Sequence, residues 1–209
     1  MTSSTEATAI VLCGGKTSRF GGEKAHALVG GRRVIDRVLE VAGRVCGRVV
    51  AVTSAGKGDL RLPEGVLVVA DAFPGTGPLG GICTGLRHAA TDLAVVVGCD
   101  LPFLNEGLLR FLLGRADGFD AVVPRLADGR AQPLHAVYRR TCLGEMERHL
   151  GAGRLSVWRV PAEVRTRYVE EAECRALDPD LLSFFNLNTP DDLAQADRLA
   201  TGRALPGEP

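Results

Sequence analysis

The chain has 209 residues, 45% of them hydrophobic, and its 25 basic side chains balance 25 acidic ones; that length suffices for one domain with a sizeable core. A formal net charge of zero excludes the whole-surface field that recruits nucleic acid or an anionic membrane, so any anion has to be bound by local geometry. No uninterrupted apolar stretch approaches the ~18 residues of a membrane span, and MTSSTEATAI lacks the charged start and long apolar run of a leader, so a cytoplasmic, unanchored protein is expected. The six cysteines, at 13, 46, 83, 99, 142 and 174, form no Cys-x-x-Cys pair and no Cys/His cluster of zinc-finger spacing, which reads as reduced, largely buried thiols.

In chain order, the apolar run Thr8 to Cys13 predicts a buried first strand. It feeds the stretch Leu12 to Lys24, LCGGKTSRFGGEK, which packs four glycines, an arginine and two lysines into thirteen positions. Glycines let backbone N–H groups turn toward an anion, and Arg19 and Lys24 would neutralise its charge, so the loop suits a polyphosphate. It is neither a Walker A loop, which needs a glycine at the place of Ile10, nor a Gly-x-Gly-x-x-Gly fingerprint.

The spacing of Val34, Ile35, Val38, Leu39, Ala42 and Val45 predicts an amphipathic helix. Strands follow at Val49 to Thr53 and at Val66 to Ala70. A second glycine-rich bend, Ala72 to Gly81, leads into a helix through Leu86 to Ala90, and Leu93 to Gly98 is a fourth strand that stops at Cys99 and Asp100. Asn105 caps a predicted helix to about Ala116, and Ala121 to Pro124 is a fifth strand. The Asp-Gly turn in Leu126 to Pro133 and the apolar run Leu134 to Tyr138 suggest a hairpin or inserted element. Thr141 to Leu150 is helical, Arg165 to Glu173 reads as an edge strand with its approach, and Pro190 opens a final helix capped by Thr189. Alternating strands and helices predict a single three-layer α/β domain over 8–201, with frayed ends at 1–7 and 202–209. Its sheet is mostly parallel and Rossmann-like, covered by helices on both faces, with a small antiparallel element.

Thr53, Asp71 and Asp100 all fall at predicted carboxyl ends of strands, where open α/β sheets bind ligands. Asp100, before the Leu101-Pro102 turn, suits either a magnesium ion bridging phosphate oxygens or a turn cap. Asn186 and Asn188 alternate with Phe185 and Leu187, which on a strand places both amides on one face, suited to a pterin ring or a metal-bound phosphate. His26, His88, His135 and His149 share no spacing and read as ordinary surface or core histidines; His135 lies within a strand. Trp158 and the phenylalanines read as core.

The loop pattern LxGGxxxRxGxxK resembles the signature of the nucleotidyltransferases that take a nucleoside triphosphate as donor, most closely the molybdenum cofactor guanylyltransferases. Gly75 to Gly81 is similar to that family's Gly-Pro-Leu-x-Gly element, Cys99 to Pro102 to its Cys-Asp-x-Pro element, and FFNLNTPDDL to its Asn-x-Asn-Thr-Pro closing motif. The resemblance runs from Leu12 to about Leu193 and implies a nucleotide-diphospho-sugar transferase-like fold. It also implies nucleotide contacts at Leu12, Cys13, Gly14, Gly15, Lys24, Thr53, Asp71 and Asp100, and charge neutralisation by Lys24, Arg19 and Mg²⁺ on Asp100. Acceptor contacts are implied at Arg154, with Arg159 as its alternative, and at Asn186 and Asn188. The implied reaction transfers GMP from MgGTP to the terminal phosphate of molybdenum-bound molybdopterin, with molybdoenzymes or their chaperones as recipients of the product. Cys13, Phe20, Glu23 and Thr53 depart from the family's usual alanine, methionine, aspartate and asparagine. The alternatives are a cytidylyltransferase for the same cofactor, a nucleotidyltransferase for another phosphorylated acceptor, and a nucleotide-binding regulator without turnover.

Overall fold

A computed structural model describes residues 6–14, 26–54 and 60–202. Gly15, Arg19 and Lys24 of the glycine-rich loop lie outside the described residues. The chain begins with strand β1 (Ala7–Cys13), buried along its whole length. A two-stranded antiparallel hairpin, β2 (Leu28–Val29) and β3 (Arg32–Arg33), leads into α1 (Val34–Val45), whose buried face is the predicted 3.6-residue stripe. β4 (Arg48–Thr53) and β5 (Val66–Ala70) follow, then α2 (Pro78–His88) and β6 (Leu93–Gly98). The second half comprises α3 (Glu106–Leu113), β7 (Ala121–Arg125), β8 (His135–Arg139), α4 (Cys142–Gly151), α5 (Val160–Glu163), β9 (Thr166–Glu170), α6 (Glu171–Arg175) and α7 (Pro190–Thr201).

Seven strands form one sheet in the order β5-β4-β1-β6-β8-β7-β9. β8 alone runs against its neighbours, pairing antiparallel with both β6 and β7; every other pairing in this sheet is parallel. The residues of β1 alternate between two cores. Ala9 and Val11 pack with α1, α3 and α7 on one face, and Ile10 and Leu12 pack with α2 and α4 on the other. This is the expected three-layer arrangement, and the run of buried valines in β6 is what burial on both faces requires.

Four local expectations shift. The helix capped by Asn105, whose side chain accepts from Leu108 N, ends at Leu113 before Gly114 rather than at Ala116. The bend after β5 is shorter than expected because Pro78 already opens α2, a position that loses no hydrogen bond to the missing N–H. Only Thr166–Glu170 of the charged stretch is strand, at the sheet edge; a capping box between Glu170 and Glu173 turns the rest into α6. Phe184 to Thr189 is not a strand: a 3₁₀ turn at Leu182–Phe184 precedes irregular chain. Its polar groups are satisfied locally instead, with Asn186 Nδ2 donating to Phe184 O at 3.0 Å and Asp192 Oδ2 accepting from Asn188 and Thr189 N–H at 2.8 Å each. Thr189 and Asp192 complete the capping box of α7.

α2 lies against β1 at a glycine. A Cβ on Gly85 would stand 2.3 Å from Ile10 Cγ2, and Ile10 is fully buried. Gly85→Ala gains at most ~1 kcal/mol of helix propensity against about 1–3 kcal/mol of overpacking, so the expected outcome is a lower urea midpoint. In an Ile10→Ala background, which removes Cγ2, the loss from Gly85→Ala should shrink; a midpoint raised by Gly85→Ala alone would show the contact to be looser than this.

Candidate functional site

The strand order puts the ends of β5, β4, β1 and β6 side by side, all pointing the same way. Asp71, Thr53, the Leu12-Cys13-Gly14 turn and Asp100 therefore stand in a row along one sheet edge. β4 and β5 are added on one side of β1 and β6 on the other, so the chain reverses its direction of winding between Gly14 and Asp100. That is the switch point at which open α/β sheets leave a crevice for ligand.

Main-chain hydrogen bonds tie the row together. Asp71 N donates to Thr53 O at 2.7 Å, and Cys99 N donates to Leu12 O at 3.1 Å. The Asp71 carboxylate has a structural role of its own: Oδ1 accepts from Phe73 N at 2.9 Å and lies 3.0 Å from the Thr84 hydroxyl on α2. Thr53 is buried and lends its hydroxyl to Val69 O at 3.3 Å. Asp100 folds back over β6 so closely that a Cβ on Gly98 would come within 2.6 Å of its Oδ1. Glycine at 98 is thus the residue that admits the carboxylate to the strand end.

The closing segment reaches the same place. Leu187 N donates to Asp100 O at 3.0 Å while the Leu187 side chain is fully buried, and Asn186 and Asn188 on either side of it are exposed. The expected alternation survives without a strand, because Leu187 is anchored by the core beneath it and by Asp100. Asn105 N donates to Ser183 Oγ at 3.0 Å and Phe103 meets Phe185 edge-on at 6.0 Å, so the whole segment is clipped to the loop that follows β6.

Cys13 and Cys99 are buried neighbours at the tips of β1 and β6. The Cys13 thiol and burial together hold the Cys99 thiol well above its ordinary range, so it is no thiolate. All six cysteines are free and buried.

Arg154 is exposed just beyond α4, and its charge reaches Glu163. Glu163 is fastened to α4: His149 Nε2 lies 2.9 Å from Glu163 Oε2 and 3.2 Å from Glu145 Oε1, and Arg148 pairs with both carboxylates. The Glu163 carboxyl is held down to about 2, first by His149 and then by Glu145. Ligand atoms of Glu145, His149 and Glu163 lie within 4.8 Å of one another. The arrangement reads as a closed hydrogen-bonded clasp rather than a metal centre. Nε2 donates its hydrogen to the carboxylates, Nδ1 is buried without a partner, and Arg148 already supplies the countercharge. The sequence signal for the clasp was present, in a glutamate and a histidine four apart on one helix.

One other residue differs from expectation: while His149 is a core histidine, fully buried, Trp158 is 56% exposed rather than core. Val157 and Val160 occupy the inward positions of that turn, which leaves the indole facing out. Among the described residues no helix is long and apolar enough to cross a membrane.

Comparison with known proteins agrees with this architecture. A family described as MobA-like NTP transferase domain matches residues 9–166. A molybdenum cofactor guanylyltransferase of Desulfosudis oleivorans is 39% identical over 91% of this chain and 94% of its own length. A probable molybdenum cofactor guanylyltransferase of Pelotomaculum thermopropionicum is 39% identical over 95% and 97%. The crystal structure of molybdopterin-guanine dinucleotide biosynthesis protein A from Archaeoglobus fulgidus superposes with a TM-score of 0.81 at 30% identity, covering 93% of this chain and 99% of that one.

Proposed function

The chain belongs to the MobA-like NTP transferase family, and on that premise we propose that it transfers GMP from GTP to the terminal phosphate of molybdenum-bound molybdopterin, forming the guanine dinucleotide and pyrophosphate. The observation that carries the reading is the row of Leu12, Cys13, Gly14, Thr53, Asp71 and Asp100 along adjacent strand ends, with Asn186 and Asn188 drawn to Asp100 by the Leu187 hydrogen bond.

Asp100 is the residue suited to Mg²⁺. It offers hard oxygen donors at the switch point, and Gly98 leaves the space its carboxylate occupies. A magnesium ion held by Asp100 would supply positive charge to the phosphates. The chain's own residues do the rest. Gly14 and Gly15 bring backbone N–H groups to the triphosphate, Arg19 and Lys24 neutralise the leaving pyrophosphate, and Thr53 and Asp71 contact the nucleoside. Arg154, Asn186 and Asn188 hold the acceptor. Its phosphate has a second pKa near ~6 and is already an anionic nucleophile at neutral pH, so no general base is required. Alignment of two anions in line is the main task.

Pyrophosphate release by the purified protein with molybdenum-molybdopterin and Mg²⁺, compared across GTP, CTP and ATP, tests the reading. Release with GTP alone is expected. Release with CTP alone would make it a cytidylyltransferase, and tight GTP binding without release would point to a regulator.

A further inference from the structure

The sheet edge that carries Asp100 continues away from Thr53 and Asp71 to a groove of about 410 Å³, lined by Arg125, Gly129, Arg130, Ala131, Trp158 and Tyr168. Register fixes its position. Val122 on β7 faces Val137 on β8, which faces Val95 on β6. Arg125, three residues beyond Val122, is therefore about level with Gly98. Two strands at ~4.8 Å each separate them by roughly 10 Å, and Asp100 stands two residues past Gly98. The nucleotide residues proposed above occupy the β5, β4 and β1 ends, so the groove lies on the opposite side of Asp100.

The groove is lined by two aromatic side chains and two arginines, each arginine paired with a carboxylate. Trp158, the chain's single tryptophan, is left 56% exposed on a turn whose neighbours Val157 and Val160 are buried. The turn leads into α5, whose Glu163 is clasped by His149 and Arg148, so the indole is held rather than loose. Also in the lining, the Arg125 guanidinium lies 4.6 Å from the centre of the Tyr168 ring and is paired with Glu170 at 2.5 Å. Arg130 and Asp128 form a second pair at 2.6 Å. An indole and a stacked guanidinium bind planar heteroaromatic rings through their faces, and carboxylates beside them accept from ring and amino N–H groups.

We propose that this groove holds the pterin ring of the phosphorylated acceptor, stacked against Trp158 and Arg125 with Glu170 and Asp128 at its polar edge, while the acceptor phosphate reaches back to Asp100. The proposal rests on the guanylyl-transfer reading for the identity of the acceptor. The distance of roughly 10 Å across two strands suits a ring and its phosphate lying at opposite ends of one small molecule. Trp158, Arg125 and Tyr168 are on this account residues that choose the acceptor, with no part in holding GTP.

Because Trp158 is the only indole, its fluorescence reports the groove without turnover. Titration of the wild-type protein with a 6-substituted pterin monophosphate should quench the emission saturably, and inorganic phosphate or GTP should not. In the pyrophosphate assay Trp158→Ala should raise the KM for molybdenum-molybdopterin at least tenfold with the KM for GTP within twofold. Trp158→Phe, which keeps a stacking face, should stay within about threefold for both. Arg125→Ala should weaken pterin monophosphate quenching at least fivefold. Quenching by GTP, an absence of quenching by the pterin, or an acceptor KM unmoved by Trp158→Ala overturns the proposal. Saturable pterin quenching in a protein that releases no pyrophosphate supports the groove and refutes the transfer reading, so the two fail separately.

Discussion

Replacing Asp100 by alanine is expected to lower kcat/KM for GTP about 10³-fold, equivalent to about 4 kcal/mol of lost transition-state stabilisation. The fold should survive, because the contact that Asp100 makes with the closing segment uses its main-chain oxygen, which accepts from Leu187 N in either variant. Asp100→Asn keeps the shape and removes the charge, and it should lose nearly as much if the carboxylate holds magnesium and only a few-fold if it is a turn cap. Gly98→Ala approaches the same atom from below: the new methyl would stand 2.6 Å from Oδ1 and push the carboxylate out of place without altering any charge. Activity should therefore fall in Gly98→Ala with the urea midpoint little changed. Rates within tenfold of wild type for Asp100→Ala would remove this residue from the reaction.

Between pH 6.5 and about 4 the protein is expected to lose about 3 kcal/mol of stability through His135 alone. The imidazole sits at the start of β8, 2% exposed, with neither ring nitrogen hydrogen-bonded, and its ring meets Phe184 edge-on at 4.9 Å. Burial pushes its pKa down to about 4 from 6.5; the charge of Asp178 opposes this, as does the Ser183 main chain, which lies outside hydrogen-bonding geometry. The unfolded chain takes up the proton first as the pH falls, so stability is complete above 6.5, is lost through the window and levels off below about 4. Urea unfolding of wild type and His135→Phe at several pH values isolates the effect, since the carboxylates titrate in both. Parallel stability curves for the two proteins would show that His135 has a partner or water not accounted for by its surroundings. Because Phe184 belongs to the segment clipped to the loop after Asp100, acid should loosen that closing segment before the strand ends at Thr53 and Asp71.

The sequence by itself determined the strand and helix periods, the alternation that dictates a covered parallel sheet, and the placing of Thr53, Asp71 and Asp100 at carboxyl strand ends. These follow from local chemistry: apolar runs of strand length, a 3.6-residue stripe from Val34 to Val45, and caps at Asn105 and Thr189 that satisfy helix N–H groups wherever the chain goes next. It also showed the closing Asn-x-Asn-Thr-Pro pattern, although its strand assignment failed because Leu187 bonds to Asp100 rather than to a neighbouring strand. What only tertiary structure decided was which strand ends are neighbours. The insertion of antiparallel β8 between β6 and β7 sets how far Arg125 and Tyr168 lie from Asp100, and no periodicity within a strand encodes the partner it pairs with. The same holds for side chains whose surroundings come from distant segments. Sequence left His149 open between surface and core, and α5 settles it by supplying Glu163; Trp158 reversed its expected burial because the buried Val157 and Val160 turn it outward. A histidine or tryptophan carries no local preference strong enough to settle that, so its environment is fixed only when the layers pack.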